Sequence, residues 1–247
     1  MVATPLAAPA ADPSAAVVGF LGSVLVAFAA GIFGFYAVLN LRLNRLESQG
    51  PFWRYLALVG ATASLYGVLG VAETLVRSRV LTAFGHGALL VCIVFLSLSM
   101  REVYYNSALA PAEEEGTLSL STLRRIESAF VAVIAVEWLV VLLIDQLLVA
   151  QLVKAGGSVA FAAYGVVFGE KLESMTRGTT LDTLRRHLLP VLVCLGALGV
   201  VDLGTFVGVA PAVVDGVRSV FVVLVAAFFV TATIRLQQNV EGLSAPA

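Results

Sequence analysis

The chain has 247 residues, 60% of them hydrophobic and 13% charged. Soluble domains carry about a quarter charged residues, so this composition argues against a water-soluble globular fold and for the lipid bilayer as solvent. The net charge of −1 supplies no basic field for nucleic acid and removes that class of partner.

Residues 1–15 open the chain without a basic n-region, so they read as a short extracellular tail and not as a cleaved signal peptide. A spanning helix needs about 20 mostly apolar residues. Helix is required, because unpaired backbone groups are costly in lipid and no barrel-like alternation is present. Seven segments qualify: Ala16–Leu41, Trp53–Val76, Leu81–Met100, Ala129–Leu148, Val149–Phe168, Leu188–Val207 and Pro211–Ile234. Residues 16–235 thus form one transmembrane domain, with 236–247 as a cytoplasmic tail. Between the fourth and fifth segments, Asp145, Gln146, Gln151 and Lys154, with Gly156 and Gly157, mark a tight turn.

The loops alternate in charge. Eleven basic residues fall on one side: Arg42, Arg45, Arg54, Arg101, Arg124, Arg125, Lys171, Arg177, Arg185, Arg186 and Arg235. Only Arg77, Arg79, Lys154 and Arg218 fall on the other. The excess of basic residues in cytoplasmic loops then places the N-terminus outside and the C-terminus in the cytoplasm of a multi-pass cell-membrane protein. The third loop holds the run Glu113, Glu114 and Glu115, read as a solvated connector or a docking segment. Gly31/Gly34, Gly60/Ser64, Gly67/Gly70 and Gly196/Gly199 supply small faces, read as intramolecular helix seams. Cys92 and Cys194 lie in apolar stretches and read as buried small hydrophobes.

Ionisable residues within spans are expensive and mark the candidate site. Glu137 falls midway along span four, next to Trp138. It is either a proton-exchanging or ligand-contacting carboxyl, or a neutral acid bonded across a seam. The outer third collects Glu73 and Arg77, Arg79, His86, Asp145, Asp202, Asp215 and Arg218. These form either a mutually neutralised ion-pair layer or a hydrated vestibule for a proton, ion or small polar ligand. His86 and His187 belong to opposite ends of the bundle, so they cannot clasp one haem. Metal-ligand clusters, phosphate loops and nucleophile elbows are missing from the sequence, and no catalytic residue is assigned.

Seven spans, an exterior N-terminus, minimal outer loops and about 250 residues resemble the plan of microbial rhodopsins. Arg79 before span three resembles that family's arginine near the retinal counter-ion, and Glu137 a mid-membrane carboxyl of its fourth helix. Residues 171–175 (KLESM) resemble the end of its fifth helix, Pro190 with Gly196 its sixth, and Asp215 the aspartate of its seventh. The resemblance implies an opsin-like build. Four residues after Asp215, where the family's retinal-binding lysine would stand, this chain has Ser219, and Thr82 holds the counter-ion position. Covalent retinal chemistry is therefore not expected.

The expected function is that of a sensor, transducer or accessory membrane subunit without enzymatic activity, meeting a cytoplasmic or membrane protein partner through its inner loops. A proton or small-ion channel or transporter using Glu137 and the outer charge layer is the alternative. No cofactor is expected, although the fourteen Phe, six Tyr and two Trp could line a pocket for an apolar pigment or lipid. The 13 arginines against two lysines suggest a GC-rich prokaryotic genome.

Overall fold

The computed structural model describes residues 13–44, 49–76, 78–106, 120–143, 147–177 and 180–244. Seven α-helices account for nearly all of them: α1 Pro13–Leu43, α2 Gly50–Leu75, α3 Arg79–Asn106, α4 Leu120–Leu143, α5 Leu147–Thr176, α6 Thr180–Val200 and α7 Pro211–Ser244. A 3-10 segment, Val201–Val207, continues α6 directly and closes on Gly208, whose φ of 87° suits glycine. Every helix is long and apolar enough to cross a membrane.

The seven helices close into a ring in chain order, with α1 against both α2 and α7. α3 lies at its centre, packed on α2, α4, α5 and α6, whereas α4 touches only α3 and α5 among the described elements. The small faces are intramolecular seams, as expected. Gly34 and Gly60 bring α1 and α2 into backbone contact, and a methyl at Gly60 would overlap the Gly34 backbone. Ser64 Oγ donates to Ala27 O at 2.9 Å on the same seam. The interior is filled by Phe33, Leu56, Leu90, Ile93, Leu96, Leu188, Leu192 and Phe229. Outward residues are also apolar, Phe28 being 70% exposed, as a lipid-facing surface requires.

The fourth and fifth helices are placed differently from the sequence expectation. α4 ends at Leu143 and α5 begins at Leu147, so Gln151, Lys154, Gly156 and Gly157 lie inside α5. Polar residues and glycines had suggested a turn there. In a membrane helix glycine is common, and here Gly157 lets Val133 and Leu90 approach α5 closely. Lys154 therefore leaves the loop inventory, and the basic excess on the opposite loops grows. Arg77, Asp145 and the Glu113–Glu115 run lie outside the described residues.

Candidate functional site

The site occupies the half of the bundle nearer the end where α1 begins, termed here the N-terminal face. Five elements converge on it. α3 runs away from this face and carries His86 two turns in from its start. α4 and α5 are consecutive and pack on each other. Glu137 lies six residues before the end of α4 and Lys154 seven after the start of α5, and 1.5 Å of rise per residue sets them at similar depth. The 3-10 segment supplies Asp202, and α7 supplies Asp215 and Arg218 on successive positions of one face.

Glu137 is wholly buried. Its Oε1 lies 2.7 Å from His86 Nδ1, a close hydrogen-bonded pair. His86 Nε2 lies 3.5 Å from Lys154 Nζ, at the outer limit of a hydrogen bond. Lys154 Nζ pairs closely with Asp202 Oδ2. Arg218 pairs with the other oxygen of the same carboxylate, its Nε donating to Oδ1 at 3.1 Å and its Nη2 also in contact. Arg218 Nη1 reaches Asp215 Oδ1 at 3.2 Å, where both side chains are about half exposed. A chain of ionisable groups thus links a mid-membrane carboxyl to the N-terminal face through four helices and the 3-10 segment. Tyr66 of α2 lies within electrostatic reach of Asp202 and Arg218.

The charge balance explains how such groups can be buried. Lys154 and Arg218 offset Asp202 and Asp215. Glu137 and His86 then need one proton between them to complete neutrality, on either the carboxyl or the ring. Moving that proton within the pair leaves the net charge unchanged, so exchange inside the site carries no added burden of burying a net charge.

Directly beneath, on the C-terminal side, the bundle turns apolar. Leu90, Val133 and Phe161 stand about one turn below His86, Glu137 and Gly157 and meet around Gly157. Phe130 packs on Phe161 with ring centroids 4.2 Å apart. Four hydroxyls deeper in that half are tied to backbone, whereas the buried hydroxyls of Ser158 and Tyr164 have no hydrogen-bond partner among the described residues. Ser97 donates to Phe161 O at 2.7 Å, Ser99 to Leu96 O at 2.6 Å, Thr231 to Phe228 O at 2.9 Å and Thr233 to Phe229 O at 2.8 Å.

Of the residues singled out in the sequence, Glu137, His86, Asp202, Asp215 and Arg218 come together. Glu73 stands apart from this chain, where its carboxylate accepts from Thr82 Oγ1 at 2.6 Å near the exposed start of α3. Arg79 is exposed at the first position of α3. His187 lies at the other end of the bundle, where Arg235 Nε donates to its Nε2 at 3.3 Å. The sequence reading missed Lys154, the hub of the site. The signal was available in its spacing: an α5 starting two residues earlier places Lys154 two turns into a span, where an ammonium needs a carboxylate partner. Among the described residues, no group of three or more His, Cys, Asp or Glu is arranged to hold a metal ion. Cys92 and Cys194 are both buried thiols.

No family model matches the chain, and neither does any curated protein or solved structure.

Proposed function

We propose that this seven-helix membrane protein is an opsin-like sensor or transducer without covalent retinal, whose input is proton exchange at Glu137 and His86 from the exterior. One observation carries the reading. A fully buried carboxyl is joined to the exposed face by the sequence His86, Lys154, Asp202, Arg218 and Asp215, with an apolar layer beneath it. A group so placed can follow the proton activity of one compartment while insulated from the other. The exterior assignment follows from the loop charges, and the output would pass to a cytoplasmic or membrane protein partner.

The indole of Trp138 supplies the test. It follows Glu137 in sequence and lies against Gly87, where a methyl would overlap its ring. With Trp53 replaced by phenylalanine, Trp138 is the sole tryptophan. Its emission in nanodiscs should shift in one titration step as the pH is lowered, and Glu137→Gln should abolish that step. An emission that stays flat over the whole pH range in which the protein remains folded removes the sensing role. Proton flux in vesicles that is lost in Glu137→Gln would instead make the protein a conductor.

A further inference from the structure

The ionisable chain is not evenly coupled. The Glu137–His86 contact is short, and Lys154, Asp202 and Arg218 are tightly packed, but the junction between the two groups is the 3.5 Å contact from His86 Nε2 to Lys154 Nζ. On the residues flanking that junction, Glu137 Oε2, and one turn before Lys154 on α5, Gln151 Oε1, are buried oxygens with no hydrogen-bond partner among the described residues. Glu137 is wholly buried and Gln151 is 8% exposed. Gln151 precedes Lys154 by three residues, so both share one face of α5. The packing of α4 on α5 sets Glu137 level with the pair.

Two unpartnered polar oxygens in an apolar bundle each carry an uncompensated desolvation cost. An ammonium has three donors, and Lys154 directs one at Asp202 and a long one at His86, leaving a third. Those demands match one water molecule. It accepts the third Lys154 N–H, donates to Gln151 Oε1, and donates to or accepts from Glu137 Oε2 according to where the proton of the pair sits, giving the three hydrogen bonds typical of a buried water.

We infer that Glu137, Gln151 and Lys154 form an internal water site, and that the bound water joins the Glu137–His86 pair to the Lys154–Asp202–Arg218 group. The site itself rests on unpaired atoms; its importance for signalling rests on the sensing role proposed above. The water makes Gln151, which carries no charge, a positioning residue of the site.

A density map of the wild-type protein in lipid, at a resolution that shows ordered water, gives the direct test. The expected result is one peak within hydrogen-bonding distance of Lys154 Nζ, Glu137 Oε2 and Gln151 Oε1, absent in Gln151→Leu. Infrared spectra recorded in ordinary and 18O-labelled water should show an isotope-sensitive O–H stretch in the wild type that Gln151→Leu lacks. A map resolving all three side chains with no peak between them overturns the site, and the wild-type map decides this even if the leucine variant misfolds. The two proposals separate cleanly. A water peak beside a pH-insensitive Trp138 retains the site and removes the sensing role, whereas a pH-sensitive Trp138 without the peak does the reverse.

Discussion

Lys154 concentrates the energetic argument on one side chain. It is 2% exposed and sits in a span, yet it is tolerated because Asp202 lies against it, while Asp215 offsets Arg218, the second cation on the Asp202 carboxylate. Removing one member of a buried pair leaves an uncompensated charge and costs about 3 to 5 kcal/mol. Lys154→Ala should fall at the lower end, near 3 kcal/mol, because Asp202 keeps Arg218. Lys154→Met with Asp202→Asn should recover a substantial part of that loss, since neither substitution then strands a charge. Thermal unfolding of the two singles and the double in one detergent yields the coupling energy, and strictly additive losses would show that the contact contributes nothing. Gly199 supplies a second residue-level case. A methyl there would overlap Ser158 on α5, so Gly199→Ala should destabilise by about 1 to 3 kcal/mol, the range for overpacking. Ser158→Gly in the same chain should relieve the clash. Unfolding midpoints check this, and a double variant no more stable than Gly199→Ala would mean that the seam moves rather than collides.

The helices differ in how firmly the ring holds them, and this bears on which of them can transmit a change. α5 and α6 are tied at the C-terminal face, where Asp182 accepts from Arg185 and Arg186 at 2.9 Å each and Arg185 also donates to Gly169 O at 3.2 Å. α1 and α7 are joined by Asn40, which donates to Leu236 O at 3.0 Å. Among the described elements α4 has only two neighbours. Its ties include the His86–Glu137 pair, Trp138 beside Phe84 with ring centroids 5.5 Å apart, Phe130 on Phe161 and Tyr164, and Arg101 paired with Glu127 near the other end. The helix that carries the titratable carboxyl is thus the one with the least packing to lose, and low packing density lowers the cost of local opening. Amide hydrogen exchange in detergent should be faster through the middle of α4 than through the middle of α3. In Glu137→Gln the carboxyl–imidazole bond is replaced by an amide–imidazole one, a loss of about 1 kcal/mol. Exchange in α4 should then speed up about fivefold at that loss, while the α1–α2 seam is unchanged. Equal protection of α3 and α4 would remove α4 as the moving element.

For the whole molecule, what the sequence made legible was what a bilayer dictates directly. Apolar length located seven helices long enough to cross, with the fourth and fifth displaced, paired glycines marked small faces that include the α1–α2 seam, and charge inside spans picked out five of the six members of the ionisable chain. What escaped was what depends on three-dimensional pairing. Lys154 looked like a loop residue because a cation in a span is unfavourable until its partner is known, and that partner, Asp202, is 48 residues away. The contact between His86 and Glu137 spans 51 residues and could not be seen from either helix alone. The same pairing supports the sensing role proposed above over conduction. A conductor needs polar groups at every depth, but the ionisable chain stops at Glu137, and Leu90, Val133 and Phe161 close the bundle beneath it. The hydroxyls of Ser97, Ser99, Thr231 and Thr233 further down are already committed to backbone carbonyls; freeing any one to line a pathway would strand its own O–H in a medium without water. Purified protein in vesicles carrying a pH-sensitive dye should accordingly pass no more protons than empty vesicles under an imposed gradient of either direction. Replacing Val133 and Phe161 with alanine should be the change that admits a leak, because it removes two side chains of the apolar layer while leaving every ionisable group in place. Flux in the unaltered protein would mean that the layer opens in operation and that Glu137 is a relay and not an endpoint.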